Sequence, residues 1–302
     1  MVNKTRDVTI IEVGPRDGLQ NEPQFISTST KIDLINALSD TGLAHIEVTS
    51  FVNPQRIPQL ADNIEVYQHI RKHPGVIYSA LVPNLKGMEA AQSVDIQMIS
   101  IFTAASETFN QRNISCSIAE SLERFAPVVE QAKFHQIPIR AYISCALGCP
   151  YEGDISPAQV LRVAEQLLAM NVQEISFGDT IGVGTPKQTQ ALLKTIQPYL
   201  HHDQICMHFH DTYGQAVANV YAALEHDVRK FDSSLAGLGG CPYARGASGN
   251  LATEDLLYLM HGMGLETGVD IYQIVQLGDK ICRILQRQNQ SKVAKALLAE
   301  PR

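Results

Sequence analysis

The 302-residue chain is poor in several features, and each shortage removes a class of function. It has no basic run, and 31 Asp and Glu outnumber 24 Lys and Arg to give a net charge of −7, which argues against nucleic acid as a partner. It has no apolar run of membrane-spanning length, which argues against a membrane. Its six cysteines (116, 145, 149, 206, 241 and 282) form no CxxC pair and no small disulfide framework, a usage that fits a reducing cytosol. The N-terminal MVNKTRDVTIIEV reaches its first apolar segment after about seven residues, too few for a signal or transit peptide. The C-terminal AKALLAEPR is not a peroxisomal address, so the expected location is cytoplasmic. Neither a fixed-period repeat nor a low-complexity linker divides the chain.

What the chain does have is a repeated alternation. Short segments rich in Ile, Val or Phe fall near 8–13, 45–51, 76–82, 96–102, 138–144, 173–178, 205–210 and 230–236, and read as strands. Helical patterns follow them at 28–41, 61–73, 85–94, 116–136, 156–171, 186–200, 214–228 and 252–264. Ser156-Pro157 and Thr185-Pro186 are helix starts, and Pro127 predicts a kink or break inside the long helix after the fourth strand. Strand followed by helix eight times predicts parallel strands closing as a (β/α)8 TIM barrel, in one catalytic domain over 1–302. The barrel should occupy about 8–264, with extra C-terminal helices over about 265–302, among them an amphipathic stretch at 271–288.

In such a barrel the C-terminal ends of the strands carry the chemistry. Arg16 and Asp17 follow the first strand, Glu47 lies in the second and Asp179 ends the sixth. His208 and His210, two apart on the seventh, project from one strand face. Cys241 and Asn250 lie in or beside a loop with Gly237, Gly239, Gly240, Gly246 and Gly249, dense enough in glycine for close approach to a ligand. Two imidazoles and a carboxylate suggest a metal with open coordination positions, although a strand histidine can also be a hydrogen-bonded core residue. Arg16 and Asp17 can be read as an ion pair, Glu47 as a barrel-interior carboxylate paired for stability, Asp179 as a helix cap and Asn250 as a loop cap.

RDGLQNE (16–22), IEVTSF (46–51), FGDT (177–180), HFHDTYG (208–214) and GGCPYARGASGN (239–250) together resemble the 3-hydroxy-3-methylglutaryl-CoA lyase family, in order and over nearly the whole chain. The Arg-Asp and His-x-His elements are shared with a wider superfamily of metal-dependent barrel lyases and synthases; the Cys-bearing glycine loop is the specific part. The resemblance implies cleavage of 3-hydroxy-3-methylglutaryl-CoA to acetyl-CoA and acetoacetate, with leucine breakdown the usual setting. It implies Asp17, His208, His210 and Asn250 as ligands to Mg²⁺ or Mn²⁺. Arg16 is expected to bind the thioester and stabilise the enolate, with Glu47 orienting Arg16 or a water. Asp179 becomes a candidate proton acceptor or metal-shell group, and Cys241 the group that acts as acid or base on the enolate carbon. An acyl-CoA partner and a homodimer are also implied.

Pro23 and Arg245 depart from the family pattern and leave a longer acyl chain open. A condensing synthase is the nearest rival, but it carries Glu-Arg where this chain has Cys241-Pro242 and adds a large C-terminal region. A two-His, one-carboxylate Fe(II) oxygenase leaves Arg16 and Cys241 unexplained. A barrel that has lost catalysis finds no support in a sequence that retains every group the chemistry needs.

Overall fold

A computed structural model describes residues 6–240 and 249–299. Eight parallel strands close on themselves in sequence order: β1 (Thr9–Glu12), β2 (His45–Ser50), β3 (Ile77–Leu81), β4 (Met98–Ala104), β5 (Ile139–Ser144), β6 (Glu174–Asp179), β7 (Ile205–Phe209) and β8 (Lys230–Ser233), with β8 pairing β1. The expected TIM barrel is therefore present; six strands lie within their expected segments, while β4 and β6 run past the expected ends, to Ala104 and Asp179. Around it run α1 (Thr28–Ser39), α2 (Asn63–His69), α3 (Leu85–Gln92), α4 (Glu107–Ile114), α5 (Ile118–Phe134), α6 (Pro157–Ala169), α7 (Pro186–Ile196), α8 (Ala216–Leu224) and α9 (Thr253–Gly262). Two further helices, α10 (Ile271–Ile284) and α11 (Lys292–Ala299), follow the last unit. None of the described helices is long and apolar enough to cross a membrane.

Local chemistry explains the boundaries. Ser156 and Thr185 each accept a backbone N–H three residues on while Gln159 and Gln188 reach back, so α6 and α7 begin in capping boxes with Pro at the first turn. Three details differ from or add to the sequence reading. Helix α4 was not anticipated, because ETFNQRNI buries only Phe109 and Asn110 and shows no apolar stripe. Pro127 does not break α5; the carbonyl it cannot pair belongs to Glu123, which is exposed, so water can satisfy it. The amphipathic stretch at 271–288 turns its apolar stripe inward: Ile271, Ile274, Val275, Gly278, Ile281 and Cys282 are buried within the chain.

The barrel has two insides. Between sheet and helices lies the apolar shell, with Ile10, Ile46, Ile99, Ile101, Ile143 and Ile175 fully buried. The residues that alternate with these face the barrel axis, and many are polar: Glu47, Ser79, Ser100, Arg140, Ser176, His208 and Asp232. The polar interior leads up to the site.

Candidate active site and metal centre

After β1 the chain makes one wide turn over Gly14–Gly18, in which Gly18 N and Leu19 N donate five residues back, to Val13 O (3.2 Å) and Gly14 O (2.9 Å). This turn delivers Arg16 and Asp17 to the barrel mouth. Arg16 Nη1 donates to Asp17 Oδ1 (2.6 Å) and Nε to Glu47 Oε2 (2.5 Å). Glu47 is aimed by a bulge in β2, where Val48 is the extra residue between Glu47 and Thr49 in the pairing with β3. Glu47 Oε2 also accepts from Tyr142 Oη (3.0 Å), and the Arg16 guanidinium lies 5.2 Å from the Tyr142 ring centre. Burial alone would lower the Arg16 pKa, but Glu47 and Asp17 raise it above its usual value, so Arg16 stays a fixed cation.

His208 and His210 come up β7 on the same face, ring centres 5.2 Å apart. Their ligand atoms and an Asp17 carboxylate oxygen all lie within 4.8 Å of one another. Burial would raise the Asp17 pKa, but Arg16 and the two imidazoles pull it below its usual value. Burial, then His208, pushes His210 down to about 4, leaving it neutral and able to ligate. Asn250 joins them by a short antiparallel bridge to His210. Its Nδ2 donates to Asp17 Oδ2 (2.8 Å) and Leu238 O (3.0 Å), which turns Oδ1 the other way. Neither Asn250 Oδ1 nor His210 Nδ1 makes a hydrogen bond of good geometry among the described residues, although Asn250 stands close enough to oppose the fall in the His210 pKa. Two imidazoles, a carboxylate and a buried amide oxygen in need of a partner fit a divalent cation.

The site opens into a cavity of about 1010 Å³. Arg16, Asp17, His208, His210 and Tyr142 form its polar end, and Leu81, Phe102, Phe109, Ile114 and Phe125 line an apolar wall. Asp179 ends β6 at the same end of the barrel but does not line the cavity; its carboxylate oxygens accept from Val183 N (3.1 Å) and Gly184 N (2.9 Å), holding the turn after β6. Burial pushes its pKa up to about 6. Gly240, at the cavity edge, is the last described residue before Cys241, which lies outside the described residues together with Arg245.

The family described as HMGL-like matches residues 7–281. The chain belongs to that family. It is 54% identical over 299 residues to a 3-hydroxy-3-isohexenylglutaryl-CoA/hydroxy-methylglutaryl-CoA lyase of Pseudomonas aeruginosa, covering 99% of this chain and 100% of that protein. A crystal structure of hydroxymethylglutaryl-CoA lyase from Pseudomonas aeruginosa superposes with a TM-score of 0.96 at 53% identity, covering 99% of this chain and 100% of the other. An HMG-CoA lyase from Acinetobacter baumannii, in complex with coenzyme A and 3-methylmalate, gives 0.93 at 38% identity, covering 98% and 97%.

Four residues of this HMGL-like site were not singled out from the sequence. Tyr142 and Arg140 alternate inward on β5, Asp232 lies on β8, and Glu12 ends β1. Their signal was charge or hydroxyl in the middle of parallel strands, which should be apolar when both faces are buried. Glu12 accepts from Gly14 N (2.8 Å), Leu235 N (2.8 Å) and Thr253 Oγ1 (2.6 Å), tying the Arg16–Asp17 turn to the segment after β8 and to α9. Glu254, in the first turn of α9, accepts the N–H of Ala236 at 3.0 and 3.1 Å.

Proposed function

We propose that the chain is a divalent-metal-dependent carbon–carbon lyase that cleaves 3-hydroxy-3-methylglutaryl-CoA to acetyl-CoA and acetoacetate. The observation that carries this reading is the meeting of Asp17, His208 and His210 with a fixed Arg16 at one end of a cavity. Cleavage beside a tertiary alcohol needs a base for the hydroxyl proton, stabilisation of the departing enolate and an acid to quench it. A bound divalent cation supplies Lewis acidity that makes an alcohol easier to deprotonate. Asp17, His208, His210 and Asn250 would hold it. Carboxylate and amide oxygens suit Mg²⁺, while two imidazoles pull toward Mn²⁺, Co²⁺ or Zn²⁺; the family precedent implies Mg²⁺ or Mn²⁺, the ions we expect.

Arg16 would bind the thioester and face the enolate oxygen as charge develops. Its Nε and Nη1 are committed to Glu47 and Asp17, so its placement costs no reorganisation during the reaction. Glu47 and Tyr142 would position Arg16. Cys241, next in sequence after the cavity-lining Gly240, would exchange a proton with the enolate carbon. Asp179 is retained as a proton acceptor, although its two backbone bonds favour a turn-holding role. The partner is an acyl-CoA thioester, the assembly a homodimer and the location cytoplasmic.

The apolar wall of the cavity favours a second reading of substrate width. Phe102, Phe109 and Phe125 could pack an alkyl chain longer than methyl at C3, as the Pseudomonas aeruginosa relative's description suggests for that protein. One experiment addresses both readings. Treating the purified protein with EDTA should abolish cleavage, and Mg²⁺ or Mn²⁺ should restore it, across a panel of 3-hydroxy-3-alkylglutaryl-CoA thioesters. Full activity without metal, or condensation of acetyl-CoA with a 2-oxo acid in place of cleavage, rejects the proposal.

A further inference from the structure

Asp232 is 1% exposed in the middle of β8, and its Cα partner across the sheet is His208. Four donors converge on its carboxylate. Arg140 Nη2 donates to Oδ1, and Cys206 Sγ lies 3.4 Å from that oxygen. Ser176 Oγ donates to Oδ2 (2.7 Å), and His208 Nδ1 lies 3.1 Å from the same atom. An ionised carboxylate can only accept, so the short contact to His208 requires the proton on Nδ1. A neutral imidazole protonated at Nδ1 carries its lone pair on Nε2. The edge of the Tyr142 ring, centre to centre 6.1 Å and 88° to the His208 ring, limits rotation from the side.

We propose that Asp232 is a positioning residue that fixes the tautomer and ring plane of His208, so that Nε2 is presented to the cation shared with Asp17 and His210. The inference rests on the metal reading above and adds the group that prepares one ligand. Arg140 anchors Asp232 from the opposite side of the barrel interior and also donates to Tyr142 Oη (3.0 Å). Tyr142 donates to Glu47, which holds Arg16, so one guanidinium braces both the imidazole and the substrate-facing arginine. Asp232, buried and outside the cavity lining, touches no substrate; it acts through His208.

The test is a Mn²⁺ titration of the full chain without substrate, followed by the EPR signal of free Mn²⁺. Beside it, a long-range ¹H–¹⁵N spectrum of the metal-free protein reads the histidine tautomers, with His208 assigned by its loss in His208→Gln. The wild type should show His208 with its proton on Nδ1. Asp232→Asn can offer an amide N–H to Nδ1, which moves the imidazole proton to Nε2, and Mn²⁺ affinity should fall about 10–100-fold, the usual effect of removing a carboxylate behind a ligating histidine. Should Asp232→Asn not fold, Arg140→Met/Asp232→Asn removes the unpaired guanidinium as well and carries the same titration. A wild-type His208 protonated on Nε2 overturns the inference, as does unchanged Mn²⁺ affinity in the variant. A wild-type protein that binds no Mn²⁺ overturns the metal reading and this inference together.

Discussion

The axis of the barrel and the seam beneath α10 bury carboxylates equally well and treat them in opposite ways. On the axis, burial would raise the Asp232 pKa, but the Arg140 guanidinium and the His208 hydrogen bond hold it well below the usual carboxylate range. In the seam, Glu12 and Glu254 have backbone N–H groups and a hydroxyl for company and, among the described residues, no guanidinium paired with them. Burial pushes Glu12 up to about 7 and Glu254 to about 8, each opposed only by hydrogen bonds. Dryness alone therefore does not set the charge; a cation within reach does. The lesson concerns design of the site. Charges that bind or activate ligands are kept ionised in the paired network, while the carboxyls that tie the barrel mouth to the outer helices can hold a proton.

The comparison can be broken most forcefully by removing the cation from the axis. Arg140→Met leaves Asp232 buried without its cation and Glu174 with Lys230 alone, and should destabilise by about 3–5 kcal/mol, seen as a lower midpoint in denaturant; adding Asp232→Asn should recover part of it. Arg16→Met tests the same pairing where it meets substrate. It should lower kcat about 10²–10³-fold, the scale for one preorganised donor, and a variant with near wild-type kcat would remove Arg16 from the chemistry. The seam predicts an alkaline response instead. A carboxyl with a folded pKa above its unfolded 4.5 stabilises fully below 4.5 and loses that contribution as pH rises through 7 to 8. Tm should thus fall from about pH 4.5 to about pH 8 and level off above it, and Glu254→Gln, which cannot ionise, should flatten part of that slope in a thermal scan. The smallest effect is expected at Asp179. Asp179→Asn should reduce kcat less than tenfold if the residue only holds its turn, whereas a proton acceptor would show about 10²–10⁴-fold.

The parts of this architecture that depend on neighbours in sequence were legible. Most strands announced themselves as short runs rich in Ile, Val or Phe, Ser156-Pro157 and Thr185-Pro186 marked helix starts, and His208 and His210 shared a face because strands alternate. The parts that depend on who stands across the barrel were not. Arg140 and Asp232 are 92 residues apart, and no local pattern says that one neutralises the other. Helix α4 was missed for a related reason: its polar sequence is held by the Ser106 cap, the left-handed Ser115 and the burial of Phe109 and Asn110, not by periodicity. Asn250 needed the bridge to His210 to become more than a loop residue. For Cys241 the sequence reading stands alone.

The chain of contacts from Asp232 through Arg140, Tyr142 and Glu47 to Arg16 also restricts how this sequence can drift. Any single replacement along it strands a charge or a hydroxyl in a dry interior, so the intermediate sequence is worse than either endpoint. Change should come in matched pairs, with position 140 moving only alongside 232 or 174, and position 47 alongside 16. The outer helices carry no such obligation. Across descendants of this chain, the surface should diverge residue by residue while the axis is inherited as a block.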